Sequence, residues 1–449
     1  MEKLFGTDGI RGVANKFPIT PEIALNLGRA AAGVLKTNKR SKIIIGKDGR
    51  LSGDMLEAAL AAGISSCGAD VYLAGIIPTP AIAYLATLNS ADAGIMVSAS
   101  HNPFEDNGIK IFDSAGYKLD SATEHRIETL VLNPENGFDA AAADQLGTVN
   151  RMLDAEDKYA SFLKRSMGQT DDLSGLRIVL DCSNGAASTI APRVFSELGA
   201  EVTALSCRPD GLNINAECGS QHIESLQDTV LKKRADVGLA FDGDGDRLIA
   251  VDENGEPVTG DHILAICASY MKQAGLLKNN LVVSTVMSNI GLINALKEMD
   301  IDHVATDVGD RYVLDRMRKS GAVLGGEDSG HMIFLDHHTS GDGILTAIRL
   351  LEAVRSAQEP LSSLRKIMDV YPQVLENVRI REKADIYKIP EIAAEIEKVE
   401  GYLADKGRVL VRFSGTRPLC RVMVEGPDPD ETRRLCHDIA EVVSEKLGE

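Results

Sequence analysis

Short apolar runs that end in polar, glycine-rich loops recur three times along this chain, and this repetition constrains the fold most strongly. The three runs are GIMVSAS, ADVGLAF leading into DGDGDR, and AVLGGEDSGH, and helical patterns separate them. Alternation of strands with helices favours mainly parallel sheets, which place ligand-binding loops at the ends of their strands. The sequence therefore predicts one α/β architecture used three times, with mixed, mainly parallel sheets.

The last part of the chain has a different pattern. From about Tyr371 two strand-like stretches, ENVRIRE and GRVLVRFSGTRPLCRVMVEG, precede a helical pattern from Glu431 to Leu447. A small sheet covered by helices is expected there, which makes this a smaller C-terminal α+β domain. We expect the four domains to surround a central cleft, with a hinge near residue 368. The predicted domains are 1–154, 155–255, 256–368 and 369–449.

The charge balance limits the partners of the chain. Its 48 Lys and Arg residues against 66 Asp and Glu residues give a net charge of −18, which repels nucleic acid and anionic lipid except at local basic clusters. No stretch approaches the ~18 unbroken apolar residues of a membrane-spanning helix, and the 7 cysteines form no CxxC pair. We therefore expect a cytoplasmic protein that acts on small molecules and binds neither nucleic acid nor membrane.

The segment FDGDGDR is the strongest local signal. Asp242, Asp244 and Asp246 stand at alternate positions, so in an extended loop their carboxylates point the same way, and hard oxygen ligands suit Mg²⁺. An EF-hand would fit Glu253 at position 12, but Arg247 stands where that loop needs glycine, and both flanks resemble strands. A solvated acidic turn without a cation is disfavoured by the repulsion between three carboxylates.

Ser100 in VSASHNP follows an apolar strand, and its hydroxyl is expected on an irregular, exposed loop. A serine in that position can act as a nucleophile or a phosphate carrier when a base or a metal activates it. Taken alone the signal is weak, because serine before Asn-Pro is typical of a simple turn. The neighbouring His101 does not by itself indicate a Ser-His-Asp triad, since adjacent side chains need not face each other.

Two further polar segments could bind a ligand. RFSGTRPLCR combines guanidinium groups, hydroxyls and a glycine in the manner of a phosphate site, although a turn with solvated arginines is the alternative. In GGEDSGH, the side chains of Glu327, Ser329 and His331 can exchange hydrogen bonds with sugar hydroxyls. The sequence has no GxxxxGK[ST] and no GxGxxG between strand and helix, which excludes P-loop NTPases and dinucleotide-binding domains.

In chain order, FGTDGIRG, SASHNP, DGDGDR, GGEDSGH and RFSGTRP resemble the motifs of the α-D-phosphohexomutase superfamily, over the whole chain. LFGTDGIRGVAN, SHNPFEDNGIKIF, PDGLNIN and TDVGDRYV are most similar to the bacterial phosphoglucosamine mutase family. The resemblance implies interconversion of glucosamine 6-phosphate and glucosamine 1-phosphate, for UDP-N-acetylglucosamine synthesis, through a phosphoserine enzyme and a bisphosphorylated sugar. Phosphomannomutase/phosphoglucomutase is the alternative within the superfamily. The alternatives outside the superfamily are a metal-dependent sugar phosphatase and a catalytically silent sensor that binds sugar phosphates.

The resemblance also implies roles for individual residues. Ser100 would be the phosphoserine, and its oxygen would join Asp242, Asp244 and Asp246 as ligands of Mg²⁺. Arg11, Lys110 and His331 would be catalytic residues around the transferring phosphoryl group and the sugar. The implied substrate-binding residues are Arg247, Glu327, Ser329, Arg412, Ser414, Gly415, Thr416 and Arg421.

The implied cofactors are Mg²⁺ and glucosamine 1,6-bisphosphate, the latter as activator and intermediate. The implied partners are sugar phosphates and an activating kinase or bisphosphate donor for Ser100, and the chain would be a monomer or a homodimer. Three residues depart from the family pattern: Asp328 replaces Gln, Gln221 replaces Thr and Arg417 replaces Glu. We expect Asp328 to pair with the ammonium group of an amino sugar, and Arg417 to point to solvent.

Overall fold

The computed structural model of the chain describes residues 4–6, 8–37, 40–134, 137–168, 172–382, 384–413 and 418–448. The chain divides into two compact units, Met1–Met287 with Ile301–Ile367 and Ser288–Asp300 with Met368–Glu449. No helix in these described ranges has both the length and the apolar character to cross a membrane. All seven cysteines are free thiols.

The first sheet begins the first compact unit. Its elements are β1 (Ile10–Val13), α1 (Pro21–Val34), β2 (Lys42–Lys47), α2 (Gly53–Ser66), β3 (Asp70–Ile76), α3 (Thr79–Leu88), β4 (Ala93–Val97), β5 (Asp106–Asp113), α4 (Ser121–Leu132) and β6 (Val149–Arg151). The strand order is β1-β5-β4-β2-β3-β6. β2 pairs in parallel with β3 and β4, whereas β5 pairs antiparallel with β4 and β1. The Thr20 side chain caps α1 and Pro21 opens it, because proline lacks only an N–H that the first turn leaves unpaired.

The second sheet repeats the arrangement. Its elements are α5 (Ala155–Ser166), β7 (Arg177–Asp181), α6 (Ile190–Glu197), β8 (Glu201–Leu205), α7 (Glu224–Lys233), β9 (Val237–Phe241), β10 (Leu248–Asp252) and β11 (Pro257–Val258). The strand order is β11-β10-β9-β7-β8, with β7 parallel to both β8 and β9. β11 lies beyond the domain boundary predicted at residue 255, but it pairs with β10 in this sheet.

A third sheet follows. Its elements are α8 (Gly260–Gln273), β12 (Leu281–Thr285), α9 (Ile290–Glu298), β13 (Asp302–Thr306), α10 (Asp310–Ser320), β14 (Leu324–Gly326), β15 (Met332–Phe334), α11 (Gly343–Ala357) and α12 (Leu361–Leu364). The strand order is β13-β12-β14-β15, with β12 parallel to both β13 and β14. Helix α9 is assigned to the second compact unit.

The second compact unit carries a sheet of three antiparallel strands. Its remaining elements are β16 (Gln373–Arg379), α13 (Pro390–Leu403), β17 (Arg408–Phe413), β18 (Leu419–Glu425) and α14 (Pro429–Leu447). The strand order is β16-β18-β17. Val422 and Val424 of β18 share a hydrophobic core with Val399 of α13 and with Leu435 and Ile439 of α14. The predicted fold class, three similar α/β domains and a smaller C-terminal α+β domain, is confirmed.

The same connection recurs in each of the three mixed sheets. A buried strand that pairs in parallel with its neighbour runs into a loop and returns as an antiparallel strand, at β4–β5, β9–β10 and β14–β15. The three polar segments predicted from the sequence occupy these three loops. Equivalent positions in three similar domains therefore supply the side chains of the candidate site.

Helices α1 and α2 pack so closely that a glycine is required between them. A Cβ added to Gly28 would lie 2.5 Å from the Leu60 carbonyl oxygen, whereas a Cβ added to Gly33 of the same helix would meet nothing within 4 Å. Gly28→Ala should therefore overpack the helix contact and destabilise the protein by about 1–3 kcal/mol. Gly33→Ala should stabilise it by about 0.5–1 kcal/mol.

Calorimetry of the two variants checks this pair of expectations. The melting temperature should fall for Gly28→Ala and rise slightly for Gly33→Ala, while both retain their circular dichroism spectra. Equal shifts in the two variants would contradict the close packing.

Candidate active site

Ser100 lies in the loop after β4, as predicted, but the expectation that it is exposed is wrong: its side chain is buried because the loop between β9 and β10 packs against it. Its backbone has φ of +54°, a left-handed conformation that non-glycine residues adopt at an energetic cost. Its hydroxyl Oγ donates a hydrogen bond to Asp242 Oδ2 at 2.5 Å, across 142 residues of sequence. The structure therefore brings together the two strongest candidates of the sequence analysis.

The loop between β9 and β10 buries three carboxylates, those of Asp242, Asp244 and Asp246. One ligand oxygen from each lies within 4.8 Å of the others. A Cβ on Gly243 would lie 2.6 Å from the Ser100 carbonyl oxygen, so glycine at this position lets the serine loop approach the acidic loop. The alternating spacing in the sequence thus produces a convergent group of oxygens.

The donor set fits a divalent cation. Asp244 Oδ1 is buried and has no hydrogen-bond partner among the described residues. Asp246 Oδ1 has only longer contacts, to His331 Nδ1 at 3.6 Å and Arg247 Nε at 3.9 Å. Burial, with the nearby Asp246 and Asp244 charges, raises the pKa of Asp242 well above its ordinary value. Buried oxygens of this kind are the ligands that Mg²⁺ and similar hard cations prefer.

Lys110 brings positive charge to the acidic loop from the neighbouring sheet. Its Nζ lies 2.9 Å from Asp244 Oδ2, 3.2 Å from Asp246 Oδ2 and 3.2 Å from Asp8 Oδ2. Burial lowers the pKa of Lys110, but Asp244 and Asp246 outweigh burial and hold it well above its ordinary value. Arg11 pairs with Asp8 beside it. Both predicted basic residues therefore lie at the acidic loop.

Further charged residues continue from Asp8 towards the third sheet. Lys118 Nζ contacts Asp8 Oδ1 at 2.5 Å and also pairs with Asp310. Asp310 Oδ2 lies 3.5 Å from His331 Nε2, and His331 Nδ1 lies 3.6 Å from Asp246 Oδ1. These contacts close a ring of alternating charge, named here the charged ring. It consists of Lys110, Asp8, Lys118, Asp310, His331 and Asp246.

Sequence reasoning assigned no role to Asp8, Lys118 or Asp310. Their local signals are slight: Asp8 follows a glycine–threonine pair, Lys118 closes the turn after β5, and Asp310 opens α10 after Gly309. Only the fold shows that they meet, because the ion pairs between Lys118 and the two aspartates span 110 and 192 residues.

His101 lies next to the serine hydroxyl, with its Nδ1 3.4 Å from Ser100 Oγ. Burial, with the positive charges of Arg247 and Arg11, lowers the pKa of His101 to about 4. His331 behaves in the opposite way: burial lowers its pKa, but Asp246 outweighs burial and raises it above the ordinary value. The surroundings therefore favour the neutral form of the His101 imidazole and the charged form of the His331 imidazole.

The remaining predicted residues of the first unit lie at the same loops. The Arg247 backbone N–H donates to Asp242 Oδ1 at 3.2 Å. Burial lowers the pKa of the Arg247 side chain, but the nearby carboxylates, chiefly Asp242 and Asp246, raise it above its ordinary value. Glu327 Oε1 accepts a hydrogen bond from the Gly309 N–H at 3.0 Å, and Ser329 is half-buried in the same turn as Glu327.

Asp328 has a structural contact at the start of α8. Its side-chain Oδ1 accepts a hydrogen bond from the Asp261 N–H at 3.1 Å, in the first turn of α8. A carboxylate at a helix N-terminus satisfies an otherwise unpaired N–H and interacts favourably with the helix dipole. Asp328 therefore helps to cap α8, and its pairing with the ammonium group of an amino sugar stays a prediction.

The predicted phosphate segment of the second unit is only partly described. Arg412 of β17 and Arg421 of β18 face each other in the strand register. Ser414, Gly415 and Thr416, which were predicted to bind phosphate, lie outside the described residues, as does Arg417. The two arginines are therefore neighbours on one small sheet.

Each part of the chain matches a domain of one family. Residues 2–137, 157–255 and 259–371 match the phosphoglucomutase/phosphomannomutase alpha/beta/alpha domains I, II and III, and residues 375–442 match its C-terminal domain.

Similar proteins cover the full length of the chain. A phosphoglucosamine mutase of Syntrophus aciditrophicus is 56% identical over 449 residues, covering 100% of both chains. A crystal structure of a phosphoglucomutase/phosphomannomutase family protein from Burkholderia thailandensis is 24% identical, with a TM-score of 0.82 over 99% of this chain and 97% of that one. Aspergillus fumigatus N-acetylphosphoglucosamine mutase, in complex with GlcNAc-6P and magnesium, is 17% identical with a TM-score of 0.69, over 98% and 95% of the two chains. At these identities the two structures show the fold.

The two imidazoles should titrate on opposite sides of the ordinary histidine pKa of about 6.5. In the metal-free protein, NMR titration should place His101 near pH 4 and His331 above pH 6.5. Asp310→Asn should lower the pKa of His331, because it removes one of the carboxylates that favour the protonated imidazole. The pKa of His101 should stay unchanged.

The sign for stability follows from these shifts. Charged His331 stabilises the fold fully below the unfolded pKa of about 6.5, and this contribution disappears as the pH rises through its higher folded pKa. His101 destabilises the fold as the pH falls from about 6.5 to about 4. Two resonances titrating together between pH 6 and 7 would show that the surrounding charges do not act as described.

Proposed function

The chain belongs to the phosphoglucosamine mutase family of the α-D-phosphohexomutases, and we propose that Ser100 carries the phosphoryl group that it transfers. As a member of this family it is an isomerase that interconverts hexosamine phosphates. The observation that carries the proposal is the hydrogen bond of 2.5 Å from Ser100 Oγ to Asp242, within the group of three buried carboxylates.

The proposed reaction has two transfers with one intermediate. Phospho-Ser100 gives its phosphoryl group to the O1 hydroxyl of glucosamine 6-phosphate: the P–Oγ bond breaks and a P–O1 bond forms. The O1 proton is transferred to Ser100 Oγ, and it passes to O6 of the sugar when the second transfer breaks the P–O6 bond. The product, glucosamine 1,6-bisphosphate, turns around in the site. Its 6-phosphoryl group then returns to Ser100 Oγ, which releases glucosamine 1-phosphate and restores the phosphoserine.

Residues of this chain supply the positioning and the charge that phosphoryl transfer needs. Asp242 Oδ2 accepts the hydrogen bond of Ser100 and so orients Oγ. Lys110, together with Arg11 and Arg247, provides positive charge beside a phosphoryl group on the serine. Because Ser100 is only 1% exposed, the surrounding protein restricts water, which favours transfer to a sugar over hydrolysis.

A divalent cation, magnesium in this proposal, would be held by Asp242, Asp244 and Asp246 together with an oxygen on Ser100. When bound, it neutralises negative charge on the transferring phosphoryl oxygens. The metal-bound relative from Aspergillus fumigatus supports the choice of magnesium.

The sugar and its second phosphate require groups beyond the reaction centre. Glu327, Ser329 and His331 are proposed to bind the sugar, and the adjacent carboxylates raise the pKa of His331, which favours the form that can donate a proton. Arg412 and Arg421, with Ser414, Gly415 and Thr416, are proposed to bind the phosphate that is not reacting.

The first phosphorylation of Ser100 needs a donor outside the cycle. We propose that glucosamine 1,6-bisphosphate or a kinase supplies it. A cytoplasmic location is proposed as well, and it is supported by the seven free thiols, since reducing compartments keep cysteines unpaired.

Ser100→Ala should abolish isomerisation and leave the fold intact, because the carrier oxygen is lost. The assay supplies glucosamine 6-phosphate with a trace of the bisphosphate and measures glucosamine 1-phosphate against free phosphate. Wild type should form the isomer, and Ser225→Ala, an exposed serine on α7, should match it. Near wild-type isomerisation by Ser100→Ala would remove Ser100 from the mechanism, and release of free phosphate by wild type would indicate a phosphatase.

Asp244→Asn should weaken magnesium binding and lower kcat by orders of magnitude, because one of three anionic ligands becomes neutral. Isothermal titration with Mg²⁺ measures the binding directly, and Asp228→Asn on the exposed face of α7 is the matched control. Full activity of the wild-type enzyme in excess chelator would contradict the metal site.

A further inference from the structure

Arg50 is a buried arginine that the reaction scheme does not use. It follows β2 in the segment GKDGR, and its side chain is 0% exposed. Its Nη2 donates to the carbonyl oxygens of Ser100 at 2.9 Å and Asn102 at 2.8 Å. Its Nη1 donates to the carbonyl oxygens of Asp106, at 3.0 Å, and of Pro103. One guanidinium group therefore binds four carbonyls of the segment 98–106, named here the serine loop.

Asp48 completes this arrangement from the other side. Its Oδ2 accepts from Arg50 Nε at 2.9 Å and from the Ser98 hydroxyl at 2.5 Å. The Ser98 oxygen in turn accepts from the Ser100 N–H at 2.9 Å. All five N–H donors of the guanidinium consequently form hydrogen bonds. The backbone N–H and C=O of Ser100 are both hydrogen-bonded as well.

The second sheet's domain holds the same carbonyls. Asn215, from the segment between β8 and α7, donates through Nδ2 to the carbonyl oxygens of Ser100 and Asn102, each at 2.9 Å. Nearby, the Leu51 N–H donates to the Gly211 carbonyl at 2.9 Å. The segment that follows β2 is therefore also bonded directly to the segment between β8 and α7. The serine loop is thus bound from two domains at once.

Such binding has a physical reason in the backbone of Ser100. Its φ of +54° is a conformation that costs a non-glycine residue on the order of 1–3 kcal/mol and persists only when the surroundings enforce it. Without these hydrogen bonds the residue would relax to a common conformation, and Oγ would turn away from the acidic loop.

We propose that Arg50 and Asn215 are positioning residues that hold the serine loop in the conformation required for phosphoryl transfer. The inference rests on the proposed role of Ser100 as carrier. Neither residue lies in the loop between β14 and β15 that is proposed to bind the sugar. Replacing either side chain should therefore affect the transfer step and the exclusion of water more than the binding of sugar phosphate.

Arg50→Lys and Asn215→Gly are the test variants. Lysine offers three donors in place of the planar group of five. Glycine suits the positive φ of Asn215, which is +58°, and removes only its side chain. Each variant should lower kcat at least about tenfold while KM for glucosamine 6-phosphate changes less than about twofold. A larger fraction of turnovers should end in free phosphate, because a displaced phosphoserine admits water.

Matched controls separate positioning from general destabilisation. Arg349→Lys changes another buried arginine, which pairs with Glu352 away from the serine loop. Asn279→Gly removes another asparagine with positive φ, +56°, which is exposed. At equal melting temperature, both controls should retain the kcat and the phosphate release of wild type.

The outcomes separate the inference from the proposed function. Wild-type kcat in Asn215→Gly, or losses in the two controls equal to those in the test variants, would overturn the positioning role. This holds even if Arg50→Lys fails to fold, because Asn215→Gly decides alone. An active wild-type enzyme whose intact mass never shows a phosphate, after incubation with glucosamine 1,6-bisphosphate, would instead overturn the role of Ser100.

Discussion

The ion pairs of Lys110 are the interaction on which the rest of the structure depends. Three carboxylates on one turn repel each other, and burying them away from water adds a large desolvation penalty. Lys110 Nζ lies within 3.2 Å of two of them and of Asp8. Removing one partner from a buried ion pair typically costs about 3–5 kcal/mol. The acidic loop can therefore stay charged only while the first sheet lies against it.

This requirement links three domains through charge. The first sheet supplies Lys110 and Lys118 with Asp8, the loop after β9 supplies Asp246, and the third sheet's domain supplies Asp310 and His331. Alternation of sign around the charged ring keeps the buried site near neutrality. A phosphoryl group on Ser100 would add negative charge, which Lys110 is placed to offset.

The mechanism follows from the position of three equivalent loops. Each follows a parallel strand and precedes an antiparallel one, so that one domain presents the serine, the next the acidic residues and the third the polar segment proposed to bind the sugar. In phosphoryl transfer, a protein contributes mainly by positioning the reacting groups and stabilising their charge. Repetition of one α/β domain provides both, because each copy brings one polar loop to the same place.

The sequence predicted the features that depend on residues close together in the chain. The alternation of apolar runs and helices predicted the fold class, the spacing of the aspartates indicated the acidic loop, and the end of an apolar strand indicated the loop that carries Ser100. The burial of Ser100 was not predicted, because it depends on the approach of the acidic loop from another domain. Contacts over long stretches of sequence could not be read in this way: Arg50 binds the serine loop across 50 residues, and Asn215 does so across 115. The signal for Arg50 was the polar GKDGR segment at the end of a parallel strand, where ligand-site residues commonly lie. The contact of Asp328 with α8 could not be predicted either, because that helix begins 68 residues earlier in the sequence, at Gly260.

The most direct test of the account follows one phosphoryl group. Wild-type enzyme labelled with ³²P on Ser100 is mixed with excess unlabelled glucosamine 6-phosphate and stopped within a single turnover. The account predicts that the label leaves the protein and appears first in glucosamine 1,6-bisphosphate and then in glucosamine 1-phosphate. Label that stays on Ser100 while isomerisation proceeds, or that appears only as inorganic phosphate, would contradict it.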